Sequence, residues 1–210
     1  MSTKTAKGNF FEDFQVGQEL VHATPRTLTQ GDVALYVALT GSRFVPQSSA
    51  AFARSIGLDG APVDDFLTFH VVFGKTVPDV SLNAVANLGY AQGRFHRLVS
   101  PGTTLSSTST VIGLKENSNK ETGTVYVKTT GRDENGSLVL DYCRWVMVRK
   151  RDTASPAPTP VVPDLPAVVA PEALVVPTGL NLDSFDTALS GSPIFGMITR
   201  WARRSIMSTA

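Results

Sequence analysis

The chain has 210 residues, 42% hydrophobic and 18% charged, a balance that suits a globular protein with one real core. Its net charge of +1 leaves no electrostatic footprint for nucleic acid, and no segment reaches the roughly 18 apolar residues of a membrane span. A single cysteine, Cys143, excludes a disulfide framework and a zinc pattern and makes a reducing cytoplasm the default compartment.

In chain order, residues 1–8 read as a disordered start without the apolar run of a signal peptide. Residues 9–151 read as folded. Thr29 opens a helix, with Asp32 placed for a capping box. Val33, Tyr36, Val37 and Thr40 then share one face, and Gly41 closes it. After the polar turn "TGSRFVPQ", "SAAFARSIG" predicts a short helix closed by Gly57. Next comes "APVDDFLTFHVVFGKTV", opened by Pro62 and two aspartates that suit the positive end of a helix dipole. It is apolar nearly all round, which predicts a buried helix with His70 as a satisfied core histidine. His22, near the first strand, is expected to reach solvent.

The remainder reads as strands. "VANLGYAQGRFHRLV" precedes three long alternating runs, "TLSSTSTVIGLKE", "TGTVYVKTTGR" and "SLVLDYCRWVMVRK". The turns "NSNK" and "DENG" join these three, which is the signature of an antiparallel meander. One buried helix beside such a meander predicts an α+β fold in which a sheet wraps a helix. Leu67, Phe69, Val71 and Phe73, with Val125, Val127, Leu140, Trp145 and Val146, form the expected core. Cys143 is expected to be buried as a small hydrophobe. Residues 152–178 hold seven of the thirteen prolines and predict an extended linker.

The stretches "NFFEDFQVGQEL", "LYVALTGSRFVPQSSAAFARSIGL" and "GRFHRLVSPGTTL" together resemble the MaoC-like hot-dog hydratases. "VHATPRT", "FGKTVPD" and "RWVMVRKRD" narrow the resemblance to the mesaconyl-CoA hydratases, also called β-methylmalyl-CoA dehydratases. It covers residues 8 to about 193. It implies a hot-dog fold, one unit of a double hot-dog, and a hydro-lyase that adds water reversibly to an enoyl-CoA thioester. It further implies an acyl-CoA ligand, no metal, no cofactor apart from the CoA of the substrate, and pairing through the hot-dog face as a homodimer.

The broader family's catalytic stretch runs Gly-Asp-x-Asn-Pro-x-His. Laid on this chain, it puts Ser42 at the aspartate position and Gln47 at the histidine position. Neither can take a proton from water or return one near neutral pH. Asp64 and Asp65 fall where the family places a His-Gly pair that supports the thioester oxygen. A carboxylate there opposes a developing oxyanion, and first-turn capping is the plainer role. Asp64, Asp65, Arg94 and His96 are nevertheless the candidate substrate-binding residues, with Arg94 positioned to meet a carboxylate or a CoA phosphate. The resemblance thus makes 9–151 the degenerate unit. Two alternatives stay open: a non-catalytic acyl-CoA-binding or dimerisation module, and a hot-dog thioesterase, which the missing acid at position 42 weakens.

Residues 179–210 read as a remnant. Its end, "FGMITRWARRSIMSTA", can form an amphipathic helix. Back-translated and read in a shifted frame, it instead yields text like the chain's own opening, with matches to Asp13, Val16 and Gly17. This predicts a frame shift near Ser192 to Phe195 and loss of the catalytic second unit.

Overall fold

The computed structural model describes residues 7–191, so the expected frame shift and the tail lie outside the described residues. Two compact units emerge, one from Met1–Leu35 with Val63–Pro177 and the other from Tyr36–Pro62 with Thr178–Ala210, in each case as far as the description reaches. Four helices are α1 (Gln30–Thr40), α2 (Val45–Ser48), α3 (Ala50–Ser55) and α4 (Asp65–Thr76). Five strands are β1 (Glu19–Thr27), β2 (Ala84–Phe95), β3 (Thr104–Glu116), β4 (Thr122–Arg132) and β5 (Leu138–Arg149).

In the larger unit one antiparallel sheet, ordered β1-β3-β4-β5-β2, packs on α4. The meander forms as its turn residues dictate. Asn119 Oδ1 accepts hydrogen bonds from the Glu121 and Thr122 amides between β3 and β4. Asp133 Oδ1 does the same for Asn135 and Ser137 between β4 and β5. The register sets Val125 opposite Val146 and Val127 opposite Arg144. Even-numbered residues of β5 therefore face inward with the odd-numbered residues of β4. The core joins Leu20, Val111, Val125, Val127, Val146 and Val148 to Phe11 and Phe14. Each such side chain contributes about 1.5–3 kcal/mol through burial. Gly123 lies so close under the Phe11 ring that a Cβ there would clash.

Helix α4 starts where the aspartates require: the Asp64 carboxylate accepts from the Phe66 amide at 2.8 Å. It buries Leu67, Thr68, Val71, Val72 and Thr76. The expectation of all-round burial is corrected, because the sheet covers only one face. Phe66 is 64% exposed, and His70 is exposed rather than a core histidine. Phe69 and Phe73 are half-buried. Trp145 is half-buried too, since strand alternation sends it and Val146 to opposite faces. It lies over Gly89 and stacks on Tyr126 at 6.0 Å. Cys143 is buried, as expected.

The two sheet edges differ. β3 runs past the start of β1, and there the linker takes the vacant place: Leu114 and Val161 exchange both backbone hydrogen bonds. The linker's root is pinned as well. Lys150 Nζ is buried against Glu116 at 2.7 Å and the Ser155 carbonyl at 2.8 Å. The Glu12 carboxylate accepts from the Arg151 and Asp152 amides. The proline-rich segment carries the bridge at Val161 and, further on, a 3-10 turn at Pro171–Ala173, and it belongs to the larger unit as far as Pro177. Asn83 Nδ2 donates to the Lys7 carbonyl, and Gly8 is buried beside Leu82. On the other edge, β2 leaves Val85, Leu88 and Tyr90 exposed.

Helix α1 opens with a complete capping box, in which Thr29 Oγ1 accepts from the Asp32 amide and Asp32 Oδ2 accepts from the Thr29 amide. None of its residues is buried. The smaller unit is held by Phe52 against Phe185, edge to face at 5.1 Å, and by Asn181 N–H donating to the Ile56 carbonyl. Gly57, at φ +93°, sits against the Gly179 carbonyl, where no side chain fits.

Candidate functional site

The turn that carries Ser42 and Gln47 belongs to the smaller unit. Gly41 leaves α1 in the left-handed region at φ +64°. The Ser42 amide donates to Thr40 Oγ1, and the Gln47 amide donates to the Phe44 carbonyl. Both side chains are half-buried. The frame is a well-formed turn between two helices that carries no group able to titrate near neutral pH.

The larger unit brings the other candidates to separate places. Asp64 is occupied as the cap of α4, and Asp65 begins its first turn. Arg94 and His96 meet around Asp141 on β5. His96 Nε2 lies 2.7 Å from Asp141 Oδ1, Arg94 Nη2 lies 3.5 Å from Oδ2, and Lys128 adds a third cation at 3.4 Å. Burial works against the Asp141 carboxylate, but the His96 hydrogen bond and the charges of Arg94 and Lys128 outweigh it and hold its pKa below the ordinary range. Arg94 is thus paired with a carboxylate of its own sheet. His70 borders an open groove of about 460 Å³ between β1 and α4. The groove's other cations are engaged: Arg26 pairs with Asp32, and Lys75 donates to the Thr24 carbonyl.

Two buried polar groupings under α4 are not among the candidate site residues read from sequence. In the first, His22 Nδ1 lies 2.7 Å from Asp79 Oδ2, His22 Nε2 lies 2.7 Å from Ser109 Oγ, and Ser109 Oγ lies 2.7 Å from Thr129 Oγ1. This corrects the solvent-facing expectation for His22, which is 3% exposed. Burial lowers its pKa, and Asp79 opposes the shift only in part. The spacing is that of an acid–base–hydroxyl relay, but Ser109 Oγ is buried and already paired with both His22 and Thr129, so the hydroxyl is spent inside the cluster. The second grouping centres on Arg144, fully buried, with its guanidinium 4.6 Å from the Phe73 ring centre. Arg144 Nη2 donates to Thr76 Oγ1 at 2.8 Å, while Nε and Nη1 find no partner among the described residues. Burial lowers its pKa and pushes that of Tyr142 up to about 12. Strand parity carried a signal for both. His22 alternates with Leu20, and Arg144 with Leu140, Tyr142 and Val146, all inward positions.

A five-stranded antiparallel sheet wound on a single central helix defines a hot-dog unit. A conserved Mycobacterium tuberculosis protein described as a double hot-dog matches 73% of this chain and 48% of its own, at 28% identity and a TM-score of 0.68. The chain belongs to the mesaconyl-CoA hydratase family, whose model matches residues 1–193. It is 59% identical over 192 residues to the β-methylmalyl-CoA dehydratase of Chloroflexus aurantiacus, covering 91% of this chain and 54% of that protein. A MaoC domain dehydratase structure from the same organism superposes with a TM-score of 0.88 at 58% identity, over 92% of this chain and 55% of that one. The chain thus spans about half the length of these relatives. Among the described residues, no helix is long and apolar enough to cross a membrane, and no three metal-ligating side chains are grouped to hold an ion.

Proposed function

We propose that this chain acts as the substrate-shaping half of a cytoplasmic enoyl-CoA hydratase of the mesaconyl-CoA type, and that it binds the thioester without turning it over. Water addition needs one group to take a proton from water as oxygen attacks the β-carbon, and a group to protonate the α-carbon. The observation that carries the reading is the turn at 42–47, which holds its shape yet presents serine and glutamine. Asp64, capped onto α4, is no substitute, because its carboxylate would repel the charge that grows on the thioester oxygen. Asp65, Arg94 and His96 are proposed to contribute to binding at most. The reaction in this reading requires no group beyond the CoA of the substrate.

Pairing is the second part of the reading. Val85, Leu88 and Tyr90 leave β2 an open apolar edge, while the linker covers the opposite one. A second hot-dog unit, another copy of this chain in the absence of a different one, would add to β2. Purified protein should bind mesaconyl-CoA in calorimetry yet leave its enoyl absorbance unchanged, whether alone or at high concentration. Leu88→Lys should convert dimer to monomer in light scattering. Rapid hydration by the pure chain would overturn the non-catalytic assignment.

A further inference from the structure

Four aromatic rings cluster beside the buried Arg144, one of them, Phe73, in direct contact with its guanidinium. Phe69 stands 5.1 Å from Tyr142, 5.7 Å from Phe73 and 5.9 Å from Tyr90, and Tyr90 stands 6.1 Å from Tyr142, centre to centre. Arg144 faces Phe73 at one side of this box, and Tyr90 lies opposite it in the β2–β5 ladder. Three donors inside are unspent. Arg144 Nε and Nη1 have no partner, and the Tyr142 hydroxyl, though Thr129 and Thr76 lie near enough to ease its shift, makes no hydrogen bond of regular geometry. A buried guanidinium is ordinarily paired, because an uncompensated charge in a dry interior is costly. Arg144 forms no ion pair with any described carboxylate, and its neighbours are rings and hydroxyls.

We infer that this box is the receptor for the acyl end of the thioester, with Arg144 and Tyr142 receiving the free carboxylate of an unsaturated dicarboxylic acyl group. The inference rests on the substrate-shaping reading above. The chemistry matches in each part. A carboxylate is an acceptor only and takes up the unspent N–H and O–H donors. The flat carbon chain of an enoyl group lies against aromatic faces. Tyr90, 47% exposed on the open β2 edge, is the wall that moves. The other three rings are held by α4 and by the interior of the sheet. Rotation of Tyr90 about its side-chain bonds opens the box toward the surface where a second unit docks. Arg144 and Tyr142 are on this account specificity residues, which distinguish a dicarboxylic from a monocarboxylic thioester.

Calorimetry on the full chain tests this with two probes: mesaconyl-CoA, and crotonyl-CoA, a short enoyl thioester that lacks the second carboxylate. The wild-type chain should prefer mesaconyl-CoA by about 10²-fold, as expected where a buried donor would otherwise stay unpaired. Arg144→Met should abolish the preference by weakening the binding of mesaconyl-CoA. Tyr142→Phe should reduce the preference by about tenfold, and Tyr90→Ala should speed association of both esters. The last two variants leave the guanidinium in place and keep the test open if Arg144→Met does not fold. Equal affinity of the wild type for both esters, or a preference that survives Arg144→Met or Tyr142→Phe, would overturn the inference while leaving the hydratase-half reading intact. Failure of both esters to bind would remove that reading and the inference with it.

Discussion

Two polar clusters lie between α4 and the sheet, and they end differently. Around His22 both ring nitrogens are spent, and Asp79, Ser109 and Thr129 close a chain of three contacts at 2.7 Å each. Around Arg144 the charge is just as deeply buried, yet two of its three nitrogens are unpaired. The first cluster has the geometry of a catalytic relay and the closure of a structural one. The second has no relay geometry and retains donors to spare. Closure, rather than residue type, separates a group that holds the fold from one that awaits a ligand. The unpaired Ser107 hydroxyl, on the rung opposite His22, carries no charge, so its burial costs far less than that of Arg144.

If the His22 cluster holds the fold, the largest effect should come from breaking it. Asp79→Ala leaves a buried imidazole N–H without its acceptor and should destabilise the larger unit by about 3 kcal/mol. Denaturant unfolding checks this, and a loss below about 1 kcal/mol would place His22 outside the structural class.

Acid should do by titration what that substitution does by truncation. Burial lowers the pKa of His22, Arg144 and Lys75 push it further down, and Asp79 offsets only part of the shift. The unfolded chain therefore binds a proton near pH 6.5 that the folded chain resists. The stability is fully present above that pH and is lost as the pH falls through the folded value. The slope approaches about 1.4 kcal/mol per pH unit. His22→Gln should flatten the melting profile below about pH 6.5. Asp141, whose pKa is also lowered, acts in the same direction, but in the carboxylate range further down, so the two are separable.

Much of this fold was legible because the signals were local. The β3 and β4 runs coincide with the observed strands, β5 within a residue at each end, and Asp64 caps α4 as its position suggested. What was not legible required partners distant in sequence. His22 pairs across 57 residues with Asp79, and Arg144 across 68 with Thr76. Alternation could say that His22 and Arg144 point inward, but not which atoms they meet. The half-exposed faces of Phe69 and Phe73 escaped for a related reason: helical periodicity reports that a side chain is apolar, and only the sheet's extent decides how much of it is covered. Of the candidate site, Arg94 and His96 were found together, whereas their common partner Asp141 was not singled out.

The Arg144 cluster should respond in the opposite sense to the His22 cluster. Replacing a buried, incompletely paired charge with an apolar side chain of similar size is often neutral or stabilising. Arg144→Met should change stability by no more than about 1 kcal/mol, with stabilisation the expected direction. A loss comparable to that of Asp79→Ala would make the two clusters alike and erase the distinction.

The smallest effect is expected at the turn where the family frame places its acid and base. The Ser42 amide donates to Thr40 Oγ1 and the Gln47 amide to the Phe44 carbonyl, and alanine preserves both amides. The turn is also fixed by Gly41 at φ +64° and by Pro46, which is buried at the start of α2. Ser42→Ala with Gln47→Ala should therefore shift stability by no more than about 0.5 kcal/mol and leave mesaconyl-CoA affinity unchanged in the same calorimetric assay. A catalytic pair in that position would instead lose about 10²–10⁴-fold in rate on such truncation. A measurable hydration rate that falls with the double variant would show that this turn, lacking any conventional acid or base, still takes part in the chemistry.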